Sequence, residues 1–153
     1  LVNEYQDIEV KMSRTSDVSR SLKERTDEAN AWGADFYLSF HINSYNQSAH
    51  GYEDYIFNIL PDSSRTAQYR DIIHEEVVKV INLKNRGKKK ANFHVLRESQ
   101  MPALLTENGS IDNDKNAAKL SEPKWRQAVA RDHVNGLQKA FNLKKTIKPR
   151  SIG

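Results

Sequence analysis

The 153-residue sequence has no cysteine. That excludes disulfides and thiolate zinc sites, and it leaves any metal to His, Asp or Glu. No apolar run approaches the roughly 18 residues that a transmembrane helix needs, so no membrane segment is expected. No positively charged, apolar-cored leader is present either, so no signal peptide is expected from these residues. Internal repeats and low-complexity tracts are also lacking.

What is present is ordinary for a folded domain. Hydrophobic residues make up 37% and charged residues 29%, enough for one domain with a real core. Net charge is +4 and the sequence pI is near 9.2, a balance that suits an anionic partner such as nucleic acid or an acidic cell-wall polymer. Much of the excess sits in two stretches, Lys84 to Lys90 with five positive charges and Lys144 to Arg150 with four. The plain reading of these is a solvated turn and a solvated tail. Neither interleaves aromatics with its charges, which argues against single-stranded nucleic acid. Residues 1–143 are expected to form the domain and 144–153 a linker or tail.

The order of elements follows from periodicity. Ile8, Val10 and Met12 alternate with charged residues and predict a half-buried strand. Ser21 and Glu24 have capping-box spacing, and a helix is expected to run from there to Gly33. Asp35 to Ile42 predicts a strand with Phe36, Leu38 and Phe40 on one face and Tyr37, Ser39 and His41 on the other. Asn43 to Ser48 reads as a loop and Gly51 to Asn58 as the next strand. A long amphipathic helix is expected from about Ser63 to Ile81, burying Tyr69, Ile73, Val77 and Val80. The basic turn follows, then a strand over Asn92 to Leu96. Met101 to Glu107 is a nearly unbroken apolar run, as in a strand covered on both sides. Asn113 to Leu120 predicts a short helix, and Pro123 opens a last helix to about Phe141. Leu120, Trp125, Val129 and Leu137 read as its core residues. Strands alternating with helices predict a three-layer α/β/α domain with a mixed, mostly parallel central sheet.

Two segments carry candidate chemistry. His41 and Glu107 each stand at the end of a predicted strand, where open α/β sheets place their ligands. An imidazole can hold a metal ion, though an isolated histidine of this kind is more often a structural or surface residue. A carboxylate at the edge of an apolar run is costly to desolvate, which raises its pKa toward a value useful for proton transfer. Equally, Glu107 could mark only where its strand reaches solvent. Asn43 could hydrogen-bond substrate or structure its loop. Arg97 could meet a substrate carboxylate, although an ion pair with Glu98 or Glu107 is the plainer reading. His50 could approach the cleft. His94 reads as a packing or surface residue, and His74 and His133 as solvated helix positions.

Taken together, Ser39-Phe40-His41-Ile42-Asn43-Ser44, Gly51-Tyr52-Glu53-Asp54-Tyr55, Asn85-Arg86-Gly87, Asn92 to Arg97, and Met101 to Gly109 with Ile111-Asp112-Asn113 resemble zinc-dependent N-acetylmuramoyl-L-alanine amidases. This family includes bacterial autolysins, sporulation hydrolases and phage endolysins. Arg14 to Asp17 and Leu22-Lys23-Glu24-Arg25 match its preceding strand end and helix. The resemblance implies a peptidoglycan hydrolase with one Zn2+ ion, His41 as a metal ligand, Glu107 as catalytic acid/base, and Asn43 and Arg97 as substrate-binding candidates. It further implies peptidoglycan as partner, anionic wall polymers as a further one, no nucleic acid, a monomer, and action in the cell wall or after secretion, or after phage-mediated release from the cytoplasm.

The sequence departs from the family pattern at one point. The family holds zinc through two histidines and a glutamate, and the first two of these ligands precede the segment around Arg14. This chain contains neither of those segments. The first strand and most of the first helix are therefore expected to be missing from it. The departure keeps open a catalytically inactive wall-binding module. The basic balance alone keeps open a nucleic-acid-binding α/β domain.

Overall fold

A computed structural model describes residues 1–44 and 50–147. The expected loop from Asn43 to Ser48 falls largely outside the described residues, as do Lys148 and Arg150 of the second basic stretch. The element order is α1 (Leu22–Trp32), β1 (Tyr37–Asn43), β2 (Tyr52–Phe57), α2 (Arg65–Val80), β3 (Asn85–Ala91), α3 (His94–Arg97), β4 (Ala103–Ser110), α4 (Asp114–Ser121) and α5 (Pro123–Phe141).

The strands form one open sheet in the order β1-β4-β2-β3. β1 runs parallel to β4 and β2 parallel to β3, while β2 and β4 are antiparallel. The sheet is therefore mixed, with two of its three pairings parallel. Alternation along the strands sorts the core. Tyr52, Ile56 and Leu104 face α2 and α5, joining Ile73, Val77 and Val129, with Phe36 and Leu38 packed alongside. Ala103, Leu105, Tyr37, Tyr55 and Phe57 face the other way, against Val95 and Leu96 of α3. Each fully buried Leu, Ile or Val of these clusters contributes about 1.5–3 kcal/mol relative to exposure. Phe36, Tyr69 and Phe141 pack ring against ring, with centroids 4.5–5.8 Å apart, and join β1, α2 and α5 at one end.

Several elements form as local chemistry dictates. Ser21 and Glu24 make a complete capping box, and Gly33 in the left-handed region ends α1. Pro123 occupies the first turn of α5. Where α5 crosses α2, a Cβ on Gly136 would lie 2.9 Å from the Ile73 Cα, so this close approach requires glycine.

Other expectations are corrected. Val10 and Met12 are 51% and 66% exposed, and residues 6–20 form no strand. Alternation alone does not make a strand; it needs a ladder partner, and none is present among the described residues. The basic segment is not a turn but β3, an edge strand. Its lysines suit an edge and are held by acids: Lys88 by Asp71, Lys89 by Glu53 and Lys90 by Asp62. The strand expected at Asn92 to Leu96 is instead a link into the short helix α3, whose Val95 and Leu96 are buried on the same side. On α2, Ile73 and Val77 are buried, but Val80 is 58% exposed. His74 and His133 are not solvated: they are 5% and 1% exposed. His74 Nδ1 lies 2.7 Å from Asp54 Oδ2, which also accepts from the Tyr52 hydroxyl at 3.0 Å. His133 Nε2 lies 3.2 Å from Thr106 Oγ1 and Nδ1 lies 2.8 Å from the Val129 carbonyl. The spacings Ile73–Val77 and Val129–His133 place both histidines on the inward helix faces.

Candidate active site

Parallel pairing of β1 with β4 brings the two leading candidates together. His41 is the register partner of Glu107, with Nδ1 3.9 Å from Oε1. Both side chains lie on the α3 side of the sheet, with Tyr37 and Leu105 behind them. Glu107 does not end its strand, as expected from the sequence; β4 continues to Ser110. It reaches the site because β1 ends beside it, with a register shift between His41 and Asn43.

The surroundings set the chemistry of each group. The Glu107 side chain is only 14% exposed, and its Oε2 is buried with no hydrogen-bond partner among the described residues. Burial, reinforced by the negative charge of Glu53, pushes its carboxyl up to about 7. Such a group takes and returns a proton near neutrality. His41 is 41% exposed; burial and the Arg25 guanidinium push its pKa down. Its ring is therefore neutral at neutral pH, the form that binds a metal.

Glu53 is a third carboxylate, which sequence reasoning missed as a site residue. It is the cross-strand partner of Glu107 on β2 and is 2% exposed. Four donors converge on it. Asn43 Nδ2 and the Tyr55 hydroxyl bind Oε1 at 3.1 and 3.0 Å, and Arg86 Nε and Lys89 Nζ bind Oε2, the former at 3.0 Å. Burial opposes its charge, but Lys89, Arg86 and Tyr55 together hold its carboxyl below the usual range. The Tyr55 hydroxyl, buried and beside Glu53, is pushed up to about 12. The available signal in the sequence was the strand alternation that puts Glu53 on the same face as Tyr55.

The remaining candidates fall as follows. Asn43 points its amide at Glu53. Arg97 stands on α3 and is held by Glu98 Oε1 and Asn92 Oδ1, both at 2.7 Å, the plainer pairing expected from the sequence. His94 Nε2 lies 3.3 Å from Thr26 Oγ1 and links α3 to α1. His50 lines a separate pocket of about 510 Å³ with Lys84, Asp112 and Lys115.

A catalytic zinc site uses three protein ligands. Among the described residues no three His, Cys, Asp or Glu side chains converge to hold a metal. His41 supplies one suitable nitrogen, so these residues do not make a complete zinc site by themselves.

Comparison with known proteins follows the same line. Residues 1–139 match the N-acetylmuramoyl-L-alanine amidase family. The chain is 54% identical over 145 residues to the N-acetylmuramoyl-L-alanine amidase CwlM of Bacillus licheniformis, covering 95% of this chain and 56% of that protein. It is 53% identical over 147 residues to the sporulation-specific N-acetylmuramoyl-L-alanine amidase of Bacillus subtilis, with the same coverage of 95% and 56%. The fold is similar to the catalytic domain of the amidase CwlV from Bacillus (Paenibacillus) polymyxa, with a TM-score of 0.84 and 29% identity over 92% of this chain and 76% of that one. The chain thus spans about half the length of the curated relatives it matches.

Proposed function

The chain belongs to the N-acetylmuramoyl-L-alanine amidase family, and on that premise we propose that it forms the catalytic part of a peptidoglycan hydrolase. The bond broken is the amide joining N-acetylmuramic acid to the L-alanine of the stem peptide. The observation that carries the reading is the Glu107 carboxyl, buried opposite His41, with one oxygen unpartnered among the described residues and a proton affinity near neutrality.

Glu107 takes a proton from the water that attacks the amide carbonyl. Its carboxyl then holds that proton and gives it to the departing amine of L-alanine. A carboxyl at about 7 serves both halves, as base and as acid, without a large penalty in either direction. His41 would supply one ligand to a zinc ion, and such an ion would polarise the amide carbonyl and lower the pKa of its bound water. In this reading Asn43, whose amide bonds Glu53, and Arg97 of α3 are the residues that bind substrate. Action on the wall outside the membrane follows from the substrate. No helix among the described residues is long and apolar enough to cross a membrane.

The test is digestion of purified peptidoglycan by the full-length protein. New amino-terminal L-alanine is expected, with no new reducing sugar ends. Glu107→Gln should lower turnover by roughly 10²–10⁴ while zinc content is kept, and His41→Ala should lose both zinc and turnover. Binding to walls with no cleavage and no zinc would support the inactive wall-binding module instead.

A further inference from the structure

His41, Glu107, Glu53 and Arg86 lie in one row across all four strands. His41 pairs with Glu107, Glu107 with Glu53, and Arg86 falls at the register shift that faces Glu53 on β3. That shift has a consequence for side-chain direction. Arg86 and Lys89 are three residues apart, a spacing that puts side chains on opposite faces of a regular strand. The irregularity turns both to the same face, where both bind Glu53 Oε2.

Arg86 is also fixed along its length. Its Cγ lies 3.1 Å from where a Cβ on Gly51 would stand, and the same Cβ would meet the Lys84 carbonyl oxygen at 2.2 Å. Gly51, at φ +125, therefore leaves the space through which the arginine stem passes. Only Nε is used on Glu53; the two terminal nitrogens of the guanidinium bind nothing among the described residues. Two cations on one carboxylate leave a net positive charge, with the Arg86 side chain 28% and the Lys89 side chain 36% exposed. A guanidinium with one edge anchored and the other unoccupied suits a carboxylate of a ligand.

We propose that Arg86, anchored by Glu53 and backed by Lys89, is a subsite that binds a carboxylate of the stem peptide about three residues beyond the scissile amide. The span comes from strand spacing: two intervals of ~4.8 Å separate Glu107 from β3, and an extended peptide advances ~3.3 Å per residue. The inference rests on the amidase reading and adds to it a substrate charge and a position. Glu53 is then a positioning residue, holding the arginine rather than touching the substrate.

The experiment uses the full-length protein and two muramyl peptides that differ only in whether the carboxylates of the second and third residues are free or amidated. Wild type should favour the free acid by roughly ten- to hundredfold in KM. Arg86→Gln should abolish that preference, Arg86→Lys should restore part of it, and Lys88→Met, on the same strand but paired with Asp71, should leave it intact. Melting curves check that each variant folds. A wild type indifferent to the carboxylate overturns the subsite whatever the variants do, as does Arg86→Gln that keeps the preference or loses only kcat, equally on both peptides. If no peptide is cleaved, the amidase reading fails by itself. Calorimetric binding of the same two peptides then decides the subsite: tighter binding of the acid by wild type than by Arg86→Gln sustains it. Equal binding of the two peptides, with displacement only by a wall phosphate polymer, overturns it.

Discussion

At the scale of single residues, the site and the core use burial in opposite ways. Burial raises the Glu107 carboxyl to about 7, where it is useful. The same physics acts on Asp132 and His133 of α5, away from the reacting groups. Asp132 is 6% exposed with Oδ2 unpartnered among the described residues, and burial pushes it up to about 6 from 3.8. His133, also buried, is pushed down to about 4 from 6.5. The two have opposite linkage. What Asp132 contributes to stability is fully present below pH 3.8 and is lost as pH rises through 6. What His133 contributes is present above pH 6.5 and is lost as pH falls through about 4. In wild type these slopes oppose each other between about pH 4 and 6.5. Asp132→Asn removes the first, so its stability should rise with pH across that window while wild type changes less. At pH 8 the variant should be more stable by roughly 1–3 kcal/mol, because it no longer has to ionise a buried carboxyl whose pKa folding raises. Urea unfolding at pH 4, 6 and 8 checks this, and curves that coincide at all three would sink it.

At the scale of elements, what could be read from the sequence was whatever one segment determines by itself. The capping box at Ser21, the stop at Gly33, Pro123 in its first turn and the apolar run at Leu104-Leu105 all form as their local chemistry dictates. Readings failed where a partner element decides. Val10 and Met12 alternate but have no ladder to join among the described residues, and Lys88 to Lys90 form a strand whose lysines are received by acids on β2 and around α2. His41 and Glu107 were readable as residues, whereas Glu53 was not, because its role depends on cross-strand register. The α2–α5 crossing is another feature set by a partner. Alanine at Gly136 is an unremarkable helix substitution taken alone, and intrinsic propensity favours it by about 1 kcal/mol. Here its Cβ would stand 2.9 Å from the Ile73 Cα. Gly136→Ala should therefore destabilise by roughly 1–3 kcal/mol. Ile73→Val should not rescue it, because the nearest atom is backbone. Thermal unfolding of the single and double variants measures both, and a stabilised single variant would show that the helices move apart freely.

At the scale of the whole molecule, the net charge of +4 overstates how much free positive surface there is, since the β3 cations are held by Asp62, Asp71 and Glu53. The two ends of the described chain are joined. Tyr5, 7% exposed, forms a bridge with Lys145, Gln6 N donates to the Lys144 carbonyl at 2.8 Å, and Thr146 N donates to the Glu4 carbonyl at 2.9 Å. Arg131 of α5 binds both Glu4 carboxylate oxygens beside them, one at 2.9 Å. This exposed ion pair adds little by itself; the backbone bonds and the cover over Tyr5 matter more. These contacts bear on the proposed division into a domain of 1–143 and a tail of 144–153. A chain ending at Ile147 keeps every one of them and should unfold like the full chain. A chain ending at Leu143 loses the backbone bonds, each worth about 0.5–1.5 kcal/mol, and uncovers Tyr5. It should be less stable by roughly 1–3 kcal/mol, with rapid hydrogen exchange appearing first at residues 4–6. Equal stability of the two truncations would instead leave the domain boundary at 143, with the terminal bridge contributing nothing to the fold.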